Sequence, residues 1–189
     1  STTTNDARLT GQGLQFSAEA SCSKETLYSW FSDRDGIFAA LVEEQAQSMG
    51  AALDAAVDVL SKGNRTSFEA RLLHHAIALL DIMTGHAVIA VNRIAMSQTC
   101  VEKPALGEAT RNMWDIEIVR RFEKLFAEGA RSGDIAKYDT KLQFDGLLGL
   151  LVGDRQRRLL LGENARPKND EMHGIAQKAV TYWLRLNAP

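Results

Sequence analysis

The sequence predicts an all-α protein, and three observations carry that expectation. Apolar residues make up 45% of the 189 positions, Ala and Leu foremost, and only 3 prolines occur, a composition that favours helix. Apolar residues recur at three- and four-residue steps nearly everywhere after residue 23, the period of helices with a face in a core. Ser, Thr or Asp stands ahead of several of these stretches and Gly behind them, which supplies the two kinds of cap that helix ends need.

Taken in order, Ser32-Asp33-Arg34-Asp35 has the pattern of a capping box, followed by Ile37, Phe38, Leu41 and Val42. It predicts a helix from Asp33 to about Leu60, closed by Ser61-Lys62-Gly63-Asn64. At 1.5 Å per residue such a helix is roughly 40 Å long, enough to join two domains. Thr66 and Glu69 repeat the capping-box pattern and open a helix to about Thr84; Gly85 stops it, and a further helical stretch covers His86 to about Thr99. Pro104 suits the first turn of a long helix carrying Met113, Trp114, Ile118, Phe122, Leu125 and Phe126, with Gly129 and Gly133 bracketing its end. Asp139 caps a helix to about Leu161 with Gly162 as its stop, and Pro167 starts a last helix to about Leu186. Between Phe144 and Leu161 apolar residues fall on more than one face, and Ile175, Ala179, Trp183 and Leu186 line the last helix. These two helices are either the centre of a monomeric core or a pairing surface for a second chain. Gly146, Gly149 and Gly153 permit close backbone approach in both cases.

Several function classes are excluded by simple counts. Basic residues number 22 against 24 acidic, a net charge of −2, which rules out a wholly cationic nucleic-acid coat but leaves room for a local DNA-reading surface. Cys22 and Cys100 make neither a disulfide framework nor a four-ligand zinc site. No run of eighteen apolar residues exists and the polar start resembles no signal peptide, so a soluble, cytoplasmic protein without membrane contact is expected. His74 and His75 point about 100° apart on a helix and read as packed or solvated, so no metal and no cofactor is expected. Gly11-Gln12-Gly13 reads as loop, and Arg155, Arg157 and Arg158 as a solvated or dimer-rim face. With no nucleophile–base pair, ligand cluster or phosphate loop legible, an enzyme is not expected.

The informative stretch is Ala20-Ser21-Cys22-Ser23-Lys24-Glu25-Thr26-Leu27-Tyr28-Ser29-Trp30-Phe31. A short helix ending near Ala20, a tight turn and a second helix capped by Ser23 make a helix-turn-helix. Leu27 and Phe31, four apart, face inward, which leaves Lys24, Glu25, Thr26, Tyr28 and Ser29 toward a groove and its phosphates. From Phe16 to Phe38 the chain resembles the TetR/AcrR family of bacterial transcriptional regulators, through Ser23, Thr26-Leu27-Tyr28, Phe31, Arg34 and Ile37-Phe38. Phe144-Asp145-Gly146-Leu147-Leu148-Gly149-Leu150, Gly153-Asp154 and Leu159-Leu160-Leu161-Gly162 resemble that family's AefR-like C-terminal domain.

The resemblance implies a helix-turn-helix DNA-binding domain over residues 1–50 and a helical effector-binding and dimerisation domain over 51–189. Ser23, Lys24, Glu25, Thr26, Tyr28, Ser29 and Trp30 are then the DNA-facing residues. Arg34 sits on a phosphate where the family usually has lysine. Two departures stand out. Residues 1–50 carry Arg8, Lys24 and Arg34 against Asp6, Glu19, Glu25, Asp33, Asp35, Glu43 and Glu44, three basic to seven acidic, a net of −4. The family's first helix is poorly represented, residues 5–15 offering only Ala7, Leu9 and Leu14 around Gly11 and Gly13.

For the second domain, Ile77, Met96, Met113, Trp114 and Phe122 are candidates to line a cavity for an apolar or amphipathic effector, or else to fill the core. Asn92, polar among Val88, Ile89, Val91 and Ile94, is the best single polar contact, with Arg93 beside it reaching solvent. The expected function is that of a ligand-responsive regulator, a repressor that binds a palindromic double-stranded operator as a homodimer through the helices around 139–162 and 167–187. Two alternatives remain open: a helical protein-interaction module that has lost DNA binding, and an all-helical enzyme.

Overall fold

The computed structural model describes residues 34–61, 66–99, 108, 111, 112, 114–137, 139–163 and 166–189. Every regular element among them is helical: α1 (Arg34–Ser61), α2 (Phe68–Thr84), α3 (His86–Thr99), a π-helical turn (Asp115–Val119), α4 (Arg120–Ser132), α5 (Thr140–Val152), α6 (Arg155–Leu160) and α7 (Asn169–Leu186). The chain divides into two compact units, Ser1–Leu41 and Val42–Pro189, the division falling inside α1. Among the described residues no single helix is long and apolar enough to cross a membrane.

The second unit is organised around α2, which packs on α7, α5, α3 and α6. Leu72, Ala76 and Leu79 of α2 are fully buried, and Val42, Ala46, Met49 and Leu53 bury one stripe of α1 at four-, three- and four-residue steps. A chain of aromatic rings runs through the core. Trp114 meets Phe144, Phe144 meets Phe122 at 5.2 Å between centroids, Phe122 meets Phe126, and Phe126 stacks on Trp183 at 4.8 Å. Contacts of this kind add about 0.5–1.5 kcal/mol each beyond the area they bury. His75 stands edge-on to Phe122 with its ring centroid 5.6 Å away, and its Nδ1 lies 2.8 Å from the Arg71 carbonyl.

One buried polar knot closes the end of this bundle. The Trp183 indole N–H donates to the Gln143 carbonyl at 2.8 Å, and the Gln143 amide donates to Asn187 Oδ1 and to the Ala136 carbonyl. Asn187 in turn donates to the Trp183 carbonyl and accepts from the Ala136 N–H. These polar groups are tolerated because each finds a partner within the knot.

Helix limits agree with the sequence at α3 and at the stop of α2; α7 begins at Asn169, two residues after the expected Pro167, because Lys168 is its N-cap, and three further places differ. Ser67, one residue after the expected Thr66, caps α2, because the side chain that reaches the Ala70 N–H is its own. The long helix through Trp114 is not uniformly α-helical: Arg120 N–H reaches back to the Asp115 carbonyl, making a π turn before α4. The helix opened by Asp139, whose carboxylate accepts from Lys141 and Leu142 N–H, stops at Val152 instead of Leu161. Gly153 there takes φ +50, a conformation closed to most side chains, and α6 sets off anew. Arg93 is exposed, as expected, and its guanidinium also donates from Nε to the Leu160 carbonyl at 3.0 Å and from Nη2 to the Leu159 carbonyl at 2.5 Å. It thereby caps the Leu160 carbonyl and adds a second donor to the Leu159 carbonyl, which also accepts the Gly162 N–H at 3.1 Å.

Gly129 of α4 faces the Phe68 ring at the start of α2; a Cβ there would lie 2.5–2.9 Å from three ring carbons. The Arg71–Glu128 ion pair, 2.6 Å, spans the same two helices.

Candidate functional site

A cavity of about 400 Å³ opens among α1, α2, α3, the π turn, α5 and α6, within the usual range for small-molecule sites. From α1 come Val42, Gln45, Ala46 and Met49; from α2, Met83; from α3, Val88, Val91 and Asn92. Arg111, Trp114, Asp115 and Val119 line it around the π turn, and Lys141, Phe144, Asp145 and Gln156 complete it.

Chemistry varies with depth in this cavity. Val42, Ala46, Met49, Met83, Val88 and Phe144 are buried and apolar, whereas Arg111, Asp115, Lys141 and Asp145 are exposed. The charged side chains therefore form a rim of two cations and two anions, in which Lys141 Nζ stands 3.5 Å from Asp145 Oδ2. Between floor and rim lie three half-buried amides. Gln156 donates to the Met83 carbonyl at 3.5 Å, while Gln45 and Asn92 make no hydrogen bond to any described residue. Such a lining can hold an organic molecule with an apolar body, and it offers no nucleophile–base pair. Among the described residues no group of three or more His, Cys, Asp or Glu converges on a metal position.

The wall is tied to α1 from outside the cavity. Arg121, two residues after the wall residue Val119, donates to both carboxylate oxygens of Asp54, at 2.9 and 2.8 Å, and to Glu117 Oε2 at 2.9 Å. The hydrogen bond from Arg121 holds the Asp54 carboxyl below its ordinary pKa, and its counterpart raises that of the guanidinium. Gly50 makes room for this arrangement, since a Cβ there would lie 2.5 Å from Glu117 Oε2 and 2.7 Å from Arg121 Nη2. A π turn in a cavity wall fits the general association of such turns with functional sites.

Of the sequence candidates for this cavity, Asn92 and Trp114 stand on its wall. Met96 is 57% exposed on the next turn of α3, Phe122 is fully buried in the aromatic chain, and Ile77 packs against the core; none of the three is on the wall. Met113 lies outside the described residues, as do Ser23, Lys24, Glu25, Thr26, Tyr28, Ser29 and Trp30. Arg34 is the first residue of α1, its side chain outside the description. Sequence reading missed Gln45 and Gln156. Gln45 could have been found by the argument used for Asn92, a polar residue beside an apolar stripe; Gln156 could not, because its position depends on the break at Gly153. Arg157 and Arg158 are exposed and pair with Asp154 and Glu163, which fits a solvated face for the basic run.

A second surface is apolar and uncovered. Leu142, Leu150, Tyr182 and Leu186 are exposed on α5 and α7. On the same helices Gly146, Gly149 and Gly174 have no atom within 4 Å of where a Cβ would stand.

Residues 70–188 match the family described as the AefR-like transcriptional repressor, C-terminal domain. The chain is similar to a TetR transcriptional regulator from Agrobacterium tumefaciens, 32% identical, with 93% of this chain and 82% of that one covered at a TM-score of 0.69. It shares its fold with a protein from Mesorhizobium loti assigned to the TetR family, 20% identical over 92% of this chain and 84% of that one, TM-score 0.77. Among proteins of curated function none matches the chain.

Proposed function

The chain belongs to the TetR family of transcriptional regulators, a family of DNA-binding proteins and not of enzymes, and from that premise we propose that it is a cytoplasmic, ligand-responsive repressor. It binds a palindromic operator as a homodimer and lets go when a small apolar or amphipathic molecule fills the cavity. The observation that carries this reading is that α1 supplies Val42, Gln45, Ala46 and Met49 to the cavity wall. That same helix begins at Arg34, directly after the helix-turn-helix motif. A ligand that prefers one position of α1 shifts the population of DNA-binding and released states by its difference in affinity for the two.

The dimer pairs α5 and α7 with their copies. An exposed apolar face with bare glycines suits close helix contact, and two reading helices one DNA turn apart supply contacts that one lacks. In the reading helix Ser23, Thr26, Tyr28 and Trp30 meet the backbone, and Lys24, Glu25 and Ser29 stand toward base edges, while Arg34 at the start of α1 sits on a phosphate. A fluorescence-anisotropy titration against random duplexes at two salt concentrations, with the bound pool sequenced, tests this. Enrichment of a palindrome with salt-sensitive affinity is expected, and Tyr28→Ala is expected to weaken it while leaving the second unit folded. Absence of binding at low salt refutes the reading and favours the interaction module, to which the acidic first 50 residues also point.

A further inference from the structure

We infer that the effector is an uncharged amphiphile, an aliphatic or aromatic body bearing one hydroxyl, carbonyl or carboxamide, and that Gln45 and Asn92 read its polar group. The inference rests on the cavity being the effector site and adds to it the chemical class of the occupant.

Three features of the wall exclude an ion as the preferred ligand. All four charged wall residues, Arg111, Asp115, Lys141 and Asp145, are exposed at the rim, where water screens them. Their charges cancel, and Lys141 already faces Asp145 at 3.5 Å, so the rim offers no net field for either sign. Below the rim no ionisable group remains among the wall residues. A carboxylate or ammonium drawn down to the level of Met49, Met83 and Phe144 loses its hydration without gaining a counter-charge, a penalty that drives buried ions to pair or to neutralise.

A pure hydrocarbon is disfavoured for the opposite reason. The Gln45 and Asn92 amides are half-buried on the wall and unsatisfied by any described residue, so a dry occupant would strand them, and stranded amides are costly. Each amide offers donors and an acceptor. A neutral hydroxyl, carbonyl or carboxamide complements them whichever way they turn. They stand on α1 and α3, so a ligand bonded to both bridges the two helices.

Calorimetric titration of the full chain at pH 7.5 with decanamide, decanoate and decylamine, each below its aggregation concentration, tests the inference. Decanamide is expected to bind about tenfold or more tighter than either charged probe, a gap of roughly 1.4 kcal/mol or above. Gln45→Leu and Asn92→Leu, each checked for an unchanged thermal melt, are expected to remove most of that preference while keeping the apolar contribution. If one variant fails to fold, the other carries the comparison. Tighter binding of decanoate or decylamine overturns the uncharged class and leaves the cavity standing as the effector site. Preference for decanamide that survives both substitutions overturns the assignment to Gln45 and Asn92. Binding of none of the three overturns the cavity reading together with the inference.

Discussion

Gly129→Ala turns an ordinarily stabilising change into a destabilising one. In a helix interior Ala is favoured over Gly by about 1 kcal/mol, and Gly129 sits in α4 with helical neighbours on both sides. Yet its new Cβ would meet Phe68 Cε2 at 2.5 Å, Cζ at 2.7 Å and Cδ2 at 2.9 Å. Phe68 is 4% exposed and is the first residue of α2, held by the Ser67 cap, so its ring has little freedom to swing away. The Arg71–Glu128 pair at 2.6 Å also resists separation of the two helices. Overpacking a core by one methyl costs about 1–3 kcal/mol; with three atoms of a buried ring in the way the upper end applies, and subtracting the propensity gain leaves about 2 kcal/mol of net loss. Urea denaturation followed by far-UV circular dichroism measures it directly, and the melting temperature should fall by roughly 4–8 °C. Adding Phe68→Leu, which shortens the obstructing ring, should give a double variant at least about 1 kcal/mol better than the sum of the single effects. A Gly129→Ala protein as stable as the parent, or more so, refutes the claim that this glycine exists for the approach of α2 and α4.

Other consequences follow from the same contacts. Burial holds the His75 imidazole below its ordinary pKa of 6.5, so the folded protein keeps it neutral where the unfolded chain takes up a proton. Its contribution to stability is complete above pH 6.5 and declines as pH falls below that value. His75→Gln should flatten the fall of the stability profile below pH 6.5, and an unchanged slope in denaturation midpoints there counts against the assignment. If the proposed α5–α7 dimer forms, Gly146→Arg, placed where no atom lies within 4 Å, should leave the fold intact but shift sedimentation equilibrium to monomer; a variant as dimeric as the parent removes α5 from the interface. Arg121→Met severs the link between α1 and the π turn through Asp54 and Glu117, whose carboxylates are partly solvated. The expected loss is only about 1 kcal/mol of stability, with decanamide affinity kept within about threefold but a smaller effect of that probe on operator binding; an unaltered response shows that the link carries no coupling.

Much of the architecture was legible because its signals are local. Gly85 ended one helix and His86 opened the next as expected, since capping is settled within a few residues on either side. The Ser23 to Phe31 motif and the Phe144 to Gly162 stretch led to the family for a related reason: the spacing of their residues along the sequence is itself the signature. Asn92 reached the cavity wall by the same logic, a polar residue out of place on an apolar face. The misreadings share the opposite character. Leu159 to Leu161 continue the apolar pattern of α5, so periodicity alone carries the helix through Gly153, and nothing in that pattern marks Gln156 for the cavity.

Residue order along the chain thus determined the helical class, most helix limits and the family, because each of these depends on interactions among near neighbours. Tertiary contacts decided which apolar residues fill the core and which surround a cavity. Phe122 and Trp114 are equally plausible linings by composition, and only the aromatic chain through Phe144 places the first inside and the second on the wall. They decided, too, that Gln45 and Gln156, more than a hundred residues apart, face one space. A cavity is made where separate helices fail to touch, and the distance between helices is set by residues such as Gly50, Gly129 and Phe68 that meet their neighbours only after folding.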